Sequence, residues 1–197
     1  MKKGGAQMAL EQEKSYTYGD LIDLDEETRY ELYNGELVAL AAPLLPHQII
    51  TTEIVRQLAT YLLGKKCRVL QSPVDVRLFE KEGDERRNAK TVLQPDALIV
   101  CDPKKLDIHG VKGAPDLVIE VLSPSTMKYD LRLKYNLYQK AGVKEYWIVD
   151  PEKQIVSVYT LEDGRYNAAA VYNSQSEILV GVLDDCKIDL RTVFADL

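Results

Sequence analysis

The sequence predicts a mixed α/β fold: one central β-sheet flanked by helices, with a β-hairpin near the N-terminus. Three observations lead there. Segments with apolar residues at helical spacing, around 45–64 and 126–141, alternate with short Val-, Ile- and Leu-rich runs that read as strands. Asn34-Gly35 joins two alternating runs and is the pair favoured by a tight type I′ turn. The 197 residues, 46% hydrophobic and without a visible repeat, suffice for one domain with its own core.

Residues 1–15 read as a loose tail and 16–197 as a single domain. Thr17, with Asp20 three residues on, caps a short helix. The hairpin "YELYNGELVALAA" follows, then a helix whose buried stripe is Ile50, Ile54, Leu58 and Leu62, stopping near Gly64. Strands are expected at 67–71 and 74–79, then a solvated loop, "EKEGDERRNAK". "PDALIVCD" is a strand starting near Asp96, and "DPKKLDIHGVKGAP" a loop. "DLVIEVL" is the next strand, "SPSTMKYDLRLKYNLYQKAG" a capped helix ending before Gly142, and "VKEYWIVDP" a strand closed by Pro151. A second hairpin turns at Asp163-Gly164, and late strands complete the chain. The order of elements places them around one sheet.

Composition excludes several classes. A net charge of −6 argues against a protein that coats nucleic acid through bulk positive charge, though not against a locally basic groove. Cys67, Cys101 and Cys186 lack CxxC spacing and share the chain with only 2 His, which excludes a zinc ribbon; buried free thiols are expected. No run approaches the roughly 18 apolar residues of a membrane span, and the N-terminal segment lacks a signal-peptide core, so a cytoplasmic location is expected.

Glu120 breaks this ordinary pattern, because it interrupts the apolar run Leu117-Val118-Ile119 and Val121-Leu122. On a wheel of about 100° per residue, Met127, Leu131, Leu137, Tyr138 and Ala141 form the sheet-facing stripe of the next helix, and Lys134 falls in its middle. Unpaired buried ions cost several kcal/mol. A carboxylate and an amine on consecutive elements answer each other, as a structural salt bridge or as part of a site.

Asp96, after Pro95 at the head of another strand, supplies a third charge. Asp116 also follows a proline, but it lies four residues before Glu120 on one strand, about 13 Å away at about 3.3 Å per residue. One ion cannot bridge that span, and Asp116 reads as a strand-entry carboxylate. Asp96, on a strand about 4.8 Å away, can meet Glu120 at one metal ion.

These residues carry a resemblance. A Pro-Asp at a strand head followed by a carboxylate within "IEVL" resembles the PD-(D/E)XK nuclease superfamily. The ordered segments "YELYNGELV", "PHQ", "QPDALIV", "GAPDLVIEVLSPST" and "YDLRLKYNLYQKAGVKEYWIVDP" resemble the Uma-type family of restriction endonucleases over about residues 16–195. The resemblance implies a restriction-endonuclease-like core and a metal-dependent endonuclease hydrolysing phosphodiester bonds, with DNA as partner and Mg²⁺ or Mn²⁺ as cofactor. It implies Asp96, Glu120 and the carbonyl of Val121 as metal ligands, and Lys134 as the catalytic amine. The superfamily lysine expected two residues after the glutamate is absent, since Leu122 stands there; the resemblance implies its migration to the following helix. Without that migration the chain would be an inactive relative acting as a nucleic-acid or protein binding module. Glu31 matches a hairpin glutamate of the family, either part of the site or a solvated charge. His47 matches a histidine of the "PHQ" element, either catalytic or a polar helix cap. Tyr138, one turn beyond Lys134, reads as packing. A homodimer is expected by analogy with nucleases of this architecture.

Overall fold

A computed structural model describes residues 14–24, 28–123, 129–195 and 197. Most of the N-terminal tail, and Met127 with the expected start of its helix, lie outside the described residues.

Thr17 and Asp20 form the expected capping box at helix α1 (Tyr18–Ile22). Strands β1 (Tyr30–Tyr33) and β2 (Glu36–Ala39) pair antiparallel across Asn34 and Gly35, whose φ values of 50° and 95° are those a type I′ turn demands. Helix α2 (Leu45–Leu62) buries Ile50, Ile54, Leu58 and Leu62, the stripe expected from its periodicity.

Two main sheets follow. The strands between α2 and the next helix are β3 (Arg68–Gln71), β4 (Val76–Arg77), β5 (Val92–Leu93), β6 (Ala97–Val100), β7 (Leu106–Asp107), β8 (Gly110–Lys112) and β9 (Leu117–Val121). Beyond them come a π-helical turn (Tyr129–Lys134), α3 (Tyr135–Ala141), β10 (Glu145–Asp150), β11 (Ile155–Glu162), β12 (Arg165–Tyr166) and β13 (Ala170–Asn173). A small hairpin of β14 (Glu177–Leu179) and β15 (Lys187–Asp189) leads into α4 (Leu190–Val193). The larger sheet runs β12-β11-β10-β9-β6-β3, with β13 also on β11; β9 and β10 are parallel and β6 and β9 antiparallel. The N-terminal hairpin opens a second sheet, β2-β1-β5-β4-β8-β7.

Alternation along the central strands sends side chains to two cores. Leu117, Ile119 and Val121 of β9 join Trp147 and Val149 of β10 beneath α2. Val118 and Leu122 face the other way, with Tyr146, Ile148, Leu137 and Tyr138, against Val76, Leu93 and Val111 of the second sheet. Period-two geometry therefore turns Glu120 toward α3 and the hairpin.

Three expectations need correction. The segment expected as a loop at 102–115 contains the β7–β8 hairpin, and β8 pairs parallel with β4; strands of two and three residues are too short to show alternation. The expected three free thiols reduce to one, buried Cys186, because Cys67 and Cys101 form a disulfide. The register Arg68↔Val100 carries these two cysteines face to face at the end of the β3–β6 pair. Leu131 is 49% exposed and does not join the apolar stripe. It lies in the π-helical turn, where each residue advances by less than in an α-helix, so the wheel loses phase just before Lys134. No helix among the described residues is long and apolar enough to cross a membrane.

Candidate active site

Lys134 is the hub. It closes the π-helical turn and is only 3% exposed, its ammonium held between two carboxylates. Nζ lies 3.0 Å from Glu120 Oε1 and 3.1 Å from Glu31 Oε1. Glu31 and Glu120 are both buried, so neither is the solvated charge that a hairpin or strand-end glutamate would normally be.

Neutral donors complete this cluster. Tyr138 donates its hydroxyl to Glu120 Oε1 at 2.7 Å, and Tyr33 donates to Glu31 Oε2. The Gln94 amide donates to Glu31 Oε1 at 2.8 Å. Burial pushes the Tyr138 phenol well above its ordinary pKa, and the Glu120 charge adds to this. Burial raises Tyr33 too, opposed by Lys134 and reinforced by Glu31. Both hydroxyls therefore keep their protons and act as donors.

Asp96 sits at the head of β6. The register Ala97↔Ile119, carried one residue further, sets it opposite Glu120. Its Oδ2 accepts the Val121 amide at 2.7 Å and lies 3.0 Å from His47 Nε2 in the first turn of α2. A carboxylate only accepts, so His47 carries its proton on Nε2; its Nδ1 is buried and has no hydrogen-bond partner among the described residues. Arg29, His47, Gln94, Asp96, Glu120 and Lys134 line one cleft of about 330 Å³. Asp116 lies elsewhere, accepting the Cys101 amide at 2.8 Å and paired with Lys144 at 2.7 Å, as a strand-entry carboxylate should.

The structure thus brings Glu31, Glu120 and Lys134 into direct contact, and links His47, Asp96 and Val121 beside them on the same cleft. Val121 is engaged through its amide. Tyr138 does more than pack, and Tyr33, Gln94 and Arg29 were not apparent from the sequence. Two of these had a signal: Tyr33 shares a strand face with Glu31, and Tyr138 a helix face with Lys134. Gln94 contributes a main-chain amide, which no side-chain pattern reveals.

Among the described residues no three His, Cys, Asp or Glu side chains are grouped to hold a metal ion by themselves. The donor set nevertheless suits one kind of ion. Asp96 and Glu120 bring only oxygen to the cleft, and Mg²⁺ is usually held by one or two carboxylates together with waters and substrate phosphate.

Comparison with known proteins agrees with this architecture. The fold is that of a crystal structure described as "a putative nuclease belonging to DUF820" from Anabaena variabilis, with TM-score 0.71 and 18% identity over 91% of this chain and 97% of that one. The core is thus restriction-endonuclease-like. A model of the Uma2 family, described as "Putative restriction endonuclease", matches residues 16–191, and the chain belongs to that family. Two uncharacterized proteins of Synechocystis sp. are also similar. One is 24% identical over 70% of this chain and 69% of its own length, the other 22% identical over 73% and 79%.

Proposed function

We propose that the protein is a metal-dependent endonuclease that hydrolyses phosphodiester bonds in DNA. One observation carries the proposal: a buried lysine amine lodged between Glu31 and Glu120, with Asp96 opposite Glu120, on the wall of an open cleft. A purely structural ion pair has no need of a cleft or of a third carboxylate beside it.

Asp96 and Glu120, with the Val121 carbonyl, would hold Mg²⁺ or Mn²⁺, which supplies charge neutralisation at the phosphate and a more acidic water. Lys134 orients the attacking water and stabilises the negative charge that develops on the phosphoryl oxygens. Glu31, fixed by Tyr33 and the Gln94 amide, holds the amine in place. Tyr138 fixes Glu120 from the other side. His47 positions Asp96 by occupying Oδ2. Lys134 thereby serves in place of the lysine that Leu122 displaces from the strand.

The test is cleavage of plasmid and linear DNA with Mg²⁺ or Mn²⁺ against EDTA, using Glu120→Ala and Lys134→Ala as controls. Cleavage is expected only with the ion, with losses of about 100-fold or more in each variant. Cleavage surviving both substitutions removes the proposed site. Absence of cleavage by the wild-type protein on any nucleic acid favours a binding module.

A further inference from the structure

Lys134 has its charge answered within the protein by Glu31 and Glu120, and Asp96 and Glu120 make the cleft wall acidic. A polyanionic strand needs another cation there. Arg29 lines the same cleft and is exposed. Its Nε donates to Gln94 Oε1 at 3.0 Å and its Nη2 to Ser72 Oγ at 2.7 Å. Both acceptors are neutral, and among the described residues no carboxylate pairs with the guanidinium.

The fork is also held in a set direction. Gln94 Nε2 donates to Asp75 Oδ1 at 2.8 Å, which turns Oε1 toward Arg29. The Gln94 amide holds Glu31, so one residue ties the guanidinium to the carboxylate cluster. A guanidinium has five N–H donors, and these two bonds use two of them. A pre-oriented arginine without a carboxylate partner among the described residues presents the rest in the planar geometry that suits phosphate oxygens.

We propose that Arg29 binds a backbone phosphate of the DNA strand in the cleft and fixes that strand relative to Asp96 and Glu120. This rests on the nuclease reading. The bland alternative is a clamp between Gln94 and Ser72, which would affect folding without sensing phosphate.

Salt dependence separates the two. Binding of a fluorescent DNA duplex is followed by anisotropy with Ca²⁺ present, across a sodium chloride series, for wild type, Arg29→Ala and Arg29→Gln. Arg29→Gln removes the charge but keeps a polar side chain for Ser72 and Gln94, and carries the test if the alanine variant folds poorly. Lys187→Ala, on the separate β14–β15 hairpin, is the control. Loss of one phosphate contact is expected to flatten the slope of log affinity against log salt by about 0.9 and to weaken binding about ten-fold or more. The control is expected to match wild type. Unchanged slope and affinity in the Arg29 variants overturn the proposal while leaving the nuclease reading intact. Failure of the wild-type protein to bind DNA overturns both together.

Discussion

Replacing Lys134 with methionine probes the centre of the site without changing the volume of the core greatly. The amine is 3% exposed and sits 3.0 and 3.1 Å from two buried carboxylates. Its removal takes away the ammonium that Glu31 and Glu120 share. Breaking a buried ion pair from one side costs about 3–5 kcal/mol. For a chain of this size that corresponds to a melting temperature lower by about 6–20 °C, at about 2–4 °C per kcal/mol. Adding Glu120→Gln removes one of the two stranded charges, so the double variant should be more stable than Lys134→Met alone. The coupling between the positions should fall within about 0.5–3 kcal/mol. Urea unfolding, followed by circular dichroism and by the fluorescence of buried Trp147, measures all four corners of the cycle. A loss below about 1 kcal/mol for Lys134→Met, additive with Glu120→Gln, would refute an amine lodged between carboxylates.

Three further outcomes are expected. Tyr138→Phe removes a 2.7 Å hydrogen bond to the Glu120 charge and should cost about 1.5–3 kcal/mol in urea unfolding. Burial alone would raise the Asp116 carboxyl, but Lys144 and the Cys101 amide outweigh it and hold it below the ordinary value of 3.8. Its contribution is therefore present above that value and lost as pH falls through the lower folded one. Asp116→Asn should be less stable than wild type at pH 6, and the gap should close in strong acid. Burial pushes the Cys186 thiol up to about 11, so it should resist alkylation in the native protein at pH 8. Denatured but unreduced protein should take up one alkyl group and reduced protein three, as mass spectrometry would show, because Cys67 and Cys101 are joined.

What the sequence made legible was local. The Asn34-Gly35 turn, the Thr17 cap and the α2 stripe each follow from contacts between residues a few positions apart. Glu120 stood out because a charge in an apolar run is an anomaly at any register, and Lys134 because it fell within the inward stripe of its helix. The sequence does not display which strands neighbour one another. The Cys67–Cys101 bond, the β7–β8 hairpin and the second sheet all depend on such pairings. Leu131 went astray for another reason, since a wheel assumes one helical period and the π-helical turn changes it. Gln94 and Arg29 act through a main-chain amide and a rim position that only the assembled hairpin and sheet bring together.

Asp96 and Glu120 are proposed to share one divalent ion beside the Lys134 amine. Anomalous scattering from crystals soaked in Mn²⁺ would locate that ion. Density is expected between the two carboxylates in the wild-type protein and should vanish in Glu120→Gln. Manganese bound elsewhere, with both carboxylates untouched, would contradict it.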